Sequence, residues 1–282
     1  MATVLALASV YVVWSSTYLV MRIAVETLPP MLMGAIRFSI AGGLLLLFGL
    51  VRRLPMPTVR QWFLALPVGL LLFAGGNGLV AIAETRVSSG IAAVVCATMP
   101  LWMAVFAAAA GERPTRREWL GVALGLAGVI VLTSGAELSA EPVYAAVLLG
   151  SPLAWAAGSM LARRLPAAPG VMAAASQQVM GAVALAIIGF GRGERLPEVW
   201  TFDAIWAVAY LVILGSFVAF TAYSWLLRNT RPALATSYAF VNPPLAVLLG
   251  AALGAESVGT ATWAATPLIV AAVLLVVLGR RK

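Results

Sequence analysis

Apolar runs of membrane-spanning length follow one another along the whole chain, separated by short segments rich in proline, arginine and glycine. A bilayer core needs about 20 apolar residues per helix. On that rule the pattern predicts helices over 3–21, 31–51, 62–83, 88–110, 119–134, 143–162, 169–191, 204–226, 232–254 and 260–279. The fifth is the shortest and has room to extend at either end. Turn signals mark the boundaries: Leu28-Pro29-Pro30, Arg52-Arg53-Leu54-Pro55, Gly111-Glu112-Arg113-Pro114, Arg163-Arg164-Leu165-Pro166 and Asn229-Thr230-Arg231-Pro232. The first run has only Met1 and Ala2 before it, lacks a basic leader and exceeds a signal-peptide core, so it reads as a mature helix. The longest polar gap, 192–203, is a loop, and no soluble domain fits anywhere.

Composition agrees and narrows the class. Only 10% of the 282 residues are charged and 62% are hydrophobic, against roughly 25% charged in a soluble chain. Such a surface belongs against lipid. The formal charge of +8 is scattered between apolar runs instead of gathered in a stripe, which argues against a nucleic-acid partner. With one cysteine, Cys96, there is no internal disulfide framework. With no histidine, His-ligated metals and His-based triads are excluded. No cofactor is implied.

The basic residues set an orientation. Thirteen of the 18 lie after even-numbered runs or at the C-terminus, among them Arg52, Arg53, Arg163, Arg164, Arg228 and Lys282. Four, namely Arg22, Arg86, Arg192 and Arg195, follow odd-numbered runs, and Arg37 lies inside a run. Basic loops stay cytoplasmic, so both termini are expected inside, an alternation that requires an even number of spans.

A repeat underlies the ten runs. Trp14 and Trp155 are 141 positions apart (155 − 14), as are Arg22 and Arg163; Pro100 and Pro243 are 143 apart, as are Gly111 and Gly254. The chain therefore reads as two five-helix halves, 1–135 and 142–282. Five is odd, so the second half enters the membrane from the opposite side. Inverted repeats of this kind recur in secondary transporters, with the substrate near the midplane between them.

At this point particular residues carry a family resemblance. Trp14-Ser15-Ser16-Thr17, Pro29-Pro30, Arg37-Phe38, Gly76-Asn77-Gly78, Ser89-Gly90-Ile91-Ala92-Ala93, Pro100 and Glu112 in the first half resemble EamA-type members of the drug/metabolite transporter superfamily. Pro232-Ala233, Thr236-Ser237-Tyr238, Asn242-Pro243 and Glu256 continue the match in the second half. Ser15 stands where the family usually has glycine. The resemblance implies a ten-helix bacterial inner-membrane exporter of amino acids or related metabolites. It does not choose the substrate.

A cavity between the helices has to be lined by polar and aromatic residues that lipid rejects. Tyr11, Trp14, Ser15 and Tyr18 recur at i, i+3, i+4 and i+7 and share one helix face. Trp155 and Ser159 are their counterparts in the sixth run. Trp62, Trp119, Trp200, Trp206 and Trp263 sit at run ends and read as interfacial belt residues; Trp102, beside Pro100, is open to either reading. Arg37 lies about 10 Å deep at 1.5 Å per residue, and its equivalent at the offset of 141 is Gln178. It either receives a substrate carboxylate or ties helices together, snorkelling toward Glu26. Asn77, among glycines, and Asn242, before Pro243-Pro244, are further lining candidates, the prolines freeing carbonyls where transporters break their helices. Tyr223 and Tyr238 complete the set. Gly121, Gly125 and Gly128 form a small-residue packing face, and Glu112 with Arg113, Arg116 and Arg117 forms a cytoplasmic turn.

Absences steer the function. No acid falls at mid-span; Glu84 is nearest, at an outer end beside Arg86. A proton-exchanging exporter of cationic drugs needs a buried carboxylate, and a phosphate carrier needs several buried cations. A neutral or zwitterionic small molecule remains, with amino acids first and a lean toward aromatic or large apolar ones. The expectation is a secondary exporter working by alternating access, through facilitated efflux or exchange in preference to strict proton antiport. The alternatives are a multidrug or neutral-metabolite efflux carrier and a non-transporting membrane module. An enzyme is not expected. Partners are a small-molecule substrate and the lipid bilayer; the oligomeric state stays open, a monomer included.

Overall fold

The computed structural model describes residues 1–109, 111, 115–134, 141–230, 235 and 238–279. Their regular secondary structure is all helix, with no strand among them. In chain order the helices are α1 (Ala2–Val25), α2 (Pro30–Val51), α3 (Val59–Glu84), α4 (Ser89–Cys96, resuming as Met99–Ala109), α5 (Arg116–Thr133), α6 (Pro142–Arg164), α7 (Val171–Gly191), α8 (Phe202–Asn229), α9 (Tyr238–Leu253) and α10 (Thr260–Gly279). Among the described residues seven, α1–α4 and α6–α8, carry windows long and apolar enough to cross a bilayer; α5, α9 and α10 carry shorter apolar stretches, Trp119–Val131, Val241–Leu253 and Thr260–Ala272.

Local sequence explains where the helices begin. Proline stands at the first turn of α2 and of α6, where a missing N–H costs nothing. Thr58 opens α3 through a reciprocal capping box with Gln61, and Thr201 caps α8. Glu194, in the α7–α8 loop, accepts the main-chain N–H groups of Met31 and Leu32 at the start of α2, satisfying donors the helix leaves free. Against expectation, α9 runs unbroken through Pro243 and Pro244. In α4 the break falls at Ala97-Thr98: Pro100 cannot donate to Cys96, where the first piece ends.

Two helices carry a different irregularity. Leu70–Gly78 in α3 and Leu211–Ala219 in α8 are π-helical, a geometry that is rare and concentrated at functional sites. Both segments span nine residues, and they are 141 positions apart at each end.

The most extensive packing joins α2 to α7 and α5 to α10. Gly42 permits the first: a Cβ there would lie 2.7 Å from Val179 Cγ2 and 3.2 Å from the Ala175 carbonyl. Gly125 and Gly128 face Ala272 and Ile269 of α10, as the small-residue face in the sequence anticipates. Elsewhere α1 meets α8 and α9, α6 meets α3 and α4, and α2 and α7 meet α8 and α3 respectively. When each helix is exchanged for the one five places along, every one of these contacts becomes another of the set. The outer surface is apolar, with Leu47, Phe63, Ile130, Ile187 and Phe190 exposed, a face suited to lipid.

Candidate functional site

The helices surround a cavity bounded by α1, α2, α3, α4, α6, α8 and α9. On α1 the lining residues are Trp14, Thr17, Tyr18 and Met21, again an i, i+3, i+4, i+7 set but turned from the expected face. The reason is the α1–α9 contact. Ser15 is buried there and donates to Asn242 Oδ1 at 3.2 Å and to the Tyr11 carbonyl. Ser15, Asn242 and Tyr11 therefore stand behind the cavity wall, with Tyr11 only half-buried.

Aromatic rings make most of the wall. The Trp14 ring sits 5.5 Å from Trp155 and 5.0 Å from Tyr238, both edge-on, and 4.9 Å from Tyr223. Phe73 links Phe38, at 4.3 Å, to Phe220, at 4.9 Å. Edge-to-face contacts of this kind fix ring orientation beyond mere burial. Tyr223 is fully buried one layer back and shares a hydrogen bond of 2.8 Å with Ser159. Trp102 is half-buried against the core, while Met99, three residues earlier on the same helix, reaches the cavity.

The π-helical segments supply polar atoms at the same place. Within them the ordinary i→i−4 bonding is displaced, and side chains from other helices take up carbonyls: Trp14 Nε1 donates to Gly215 at 3.2 Å, Gln178 Nε2 to Ser216 at 3.3 Å and Ser151 Oγ to Gly76 at 2.8 Å. Asn77 lines the cavity and donates back to the Leu72 carbonyl. Gly215 is needed for close approach, since a Cβ there would fall 2.9 Å from Arg37 Nη2 and 3.0 Å from Thr17 Cγ2.

Arg37 is the cation of this site. It is 4% exposed, its Nε donates to Ser216 Oγ at 2.7 Å, and its guanidinium lies 4.7 Å from the Phe38 ring centre. Among the described residues no carboxylate lies within ion-pair distance of it, and it does not turn toward Glu26. Arg37 and Gln178, the two positions equated by the repeat, thus converge on Ser216. An arginine presents five donors; with Nε engaged, the terminal amino groups remain for a ligand.

Six of the residues singled out in the sequence line the cavity: Trp14, Tyr18, Arg37, Asn77, Trp155 and Tyr238. Ser15, Ser159, Gln178, Tyr223 and Asn242 form the layer that holds them. The sequence offers Thr17 among the polar residues of the first run but off the face chosen for the cavity, and it does not mark Phe73, Cys96, Ser151 or Phe220. Ser151 lies one helical turn before Trp155, a spacing that signals it; Phe73 and Phe220 carry no signal, because phenylalanine in an apolar run is ordinary.

Glu84 departs from the expectation of an outer-end residue beside Arg86. It does end α3, yet it is 1% exposed, inside the bundle. Above it Arg22 Nη1 donates to the main-chain carbonyls of Glu84 and Val87, while Arg22 Nε lies 3.5 Å from Glu256. Glu256 in turn accepts from Ser89 N, Ser89 Oγ and Gly90 N at the start of α4. Motif residues Glu112, Pro232-Ala233 and Thr236-Ser237, and Arg113 of the turn, lie outside the described residues.

Similarity to known proteins fits this architecture. Over 276 residues the chain is 46% identical to the uncharacterized inner membrane transporter YedA of Escherichia coli strain K12, covering 98% of this chain and 90% of that protein. It is 24% identical over 160 residues to a probable amino-acid metabolite efflux pump of Salmonella typhimurium, covering 55% of this chain and 52% of that one. A solved crystal structure shares the fold with a TM-score of 0.70 at 23% identity, covering 100% of this chain and 99% of that one. The EamA-like transporter family profile matches twice, over residues 1–134 and 143–278, and the chain therefore belongs to that family.

Proposed function

We propose that this chain is a secondary transporter of the bacterial inner membrane that exports small zwitterionic metabolites, amino acids foremost, with a preference for aromatic or large apolar side chains. It has ten spans with both termini cytoplasmic. The halves 1–135 and 142–282 are inverted repeats that rock about the central cavity. The paired π segments, the exchangeable helix contacts and the double profile match support the repeat; the distribution of arginines supports the orientation.

One observation carries the substrate class. Arg37 is a buried cation with free donors and no carboxylate partner among the described residues, at the edge of a cavity otherwise walled by aromatic rings. A buried unpaired charge is costly, and a ligand carboxylate relieves that cost while the aromatic box takes an apolar side chain. The family is one of transporters, which points away from an enzyme.

The test is counterflow. Purified protein in liposomes loaded with unlabelled amino acids is expected to take up labelled tryptophan, phenylalanine and leucine in preference to threonine. The double substitution Trp14→Ala, Trp155→Ala should abolish uptake. Folded protein that moves no amino acid overturns the substrate class. The aromatic wall favours a second reading, efflux of neutral apolar compounds, which would show as dye transport indifferent to Arg37→Ala.

A further inference from the structure

We propose that Glu84 is a proton-binding site that couples export to proton entry, its carboxyl group carrying either a proton or the ammonium group of the substrate, but not both. The inference rests on the zwitterion reading above and deepens it.

Register places Glu84 on the transport path. The α3 residues lining the cavity are Phe73, Gly76, Asn77 and Val80. Glu84 follows Val80 by four residues and so continues that stripe one turn, about 5.4 Å, beyond the lining. On α1, Arg22 stands in the same relation to Tyr18. Between the cavity and this end of the bundle, then, the next layer is Glu84 under Arg22 and Glu256.

Chemistry assigns Glu84 its state. Both carboxyl oxygens are buried and have no hydrogen-bond partner among the described residues. Its neighbours are committed elsewhere. Arg22 of α1 is held by two carbonyls and Glu256, and Arg37 of α2 by Ser216. Tyr18 of α1 and Cys96 of α4 are the other ionisable groups whose electrostatics reach it, with Glu256 adding like charge. From α6, Tyr144 borders Ile82 in a groove with no Glu84 in its lining. An ionised carboxylate in such surroundings, lacking donors, is strongly disfavoured; the closed state holds Glu84 as a neutral acid.

Opening this end separates α1 from the α9–α10 loop and breaks the Arg22–Glu256 pair. Water then reaches Glu84, and Arg22, already tethered at the Glu84 carbonyl, is free to serve as its counterion. An arriving proton displaces the ammonium group of a substrate whose carboxylate sits at Arg37, and the substrate leaves. With the latch re-formed, the proton-loaded carrier turns inward; there the next substrate places its ammonium against Glu84, whose O–H bond breaks and whose proton passes to water. One proton enters per substrate exported. The substrate is net neutral, so the cycle moves one positive charge.

Proteoliposomes separate the outcomes. With the membrane potential clamped, an inside-acid gradient of one pH unit should drive roughly tenfold accumulation of labelled amino acid by the wild type, as a single coupled proton allows. Glu84→Gln should lose that accumulation and, with the ammonium group's partner gone, need a higher substrate concentration for whatever counterflow it keeps. Counterflow without gradient-driven accumulation in the wild type, or undiminished accumulation in Glu84→Gln, overturns the proposal while leaving the substrate class intact. Absence of all counterflow instead strikes the substrate class. In that case, or if Glu84→Gln does not fold, infrared difference spectra of the wild type between acid and alkaline pH decide the proton site. A carboxylic-acid carbonyl band that titrates, and is absent from Glu84→Asp at the same position, supports it; no such band refutes it.

Discussion

Arg37 shows what a single residue can declare from sequence. An arginine inside an apolar run needs a reason, and the search for one led to the cavity. The structure supplied what sequence lacked, the identity of its partner: Ser216 on α8, 179 positions away. A serine in a membrane helix usually bonds its own preceding turn, so nothing marks Ser216 in advance. Replacing Arg37 by alanine removes charge-assisted hydrogen bonds worth about 1.5–3 kcal/mol. It should raise KM for amino acids by roughly tenfold or more, while amide analogues lacking the carboxylate are moved equally by both proteins in the same liposome assay. Cys96 offers a second reading of the site. It lines the cavity 3.7 Å from Ser151 Oγ, so saturating substrate should slow its alkylation by a membrane-permeant maleimide severalfold. An unaltered rate would place the substrate elsewhere.

At the scale of elements, hydropathy located the helices to within a few residues because lipid leaves the backbone no alternative to internal hydrogen bonding. Ends were less legible: α1 and α3 reach Val25 and Glu84 because Glu84 is buried in the bundle and Arg22 partly so, where a hydropathy rule stops short of charge. The π segments were invisible, since i→i+5 bonding follows from packing and leaves no period in the sequence; Gly75-Gly76-Asn77-Gly78 was the only hint. Asn242-Pro243-Pro244 misled in the other direction, because α9 absorbs both prolines without interruption. If the π segment of α8 positions Arg37, Gly215→Ala should cut counterflow by an order of magnitude or more at unchanged thermal stability, the new methyl group displacing the guanidinium. Gly43→Ala, with no atom within 4 Å of the added Cβ, should leave counterflow at wild-type levels.

For the molecule as a whole, the arginine count and the repeat offsets predict an orientation that can be tested directly. In a Cys96→Ser background, cysteine at Met56, exposed between α2 and α3, should react only with reagent on the cytoplasmic side. Cysteine at Val199, exposed between α7 and α8, should react only from outside. Labelling of both from one side would defeat the inverted topology. Which face of α1 meets the cavity could not be read at this scale from sequence, because periodicity gives the stripe but not the neighbour that claims it; Asn242 claimed Ser15. The paired π segments have one more consequence. A π turn holds an extra residue relative to the α-helix around it, and both halves hold theirs at matching positions. On the duplication reading, that insertion was already present in a five-helix ancestor before its gene doubled, and that ancestor worked as an antiparallel pair of identical chains. The irregularity at the heart of the cavity is then older than the single-chain protein that now uses it.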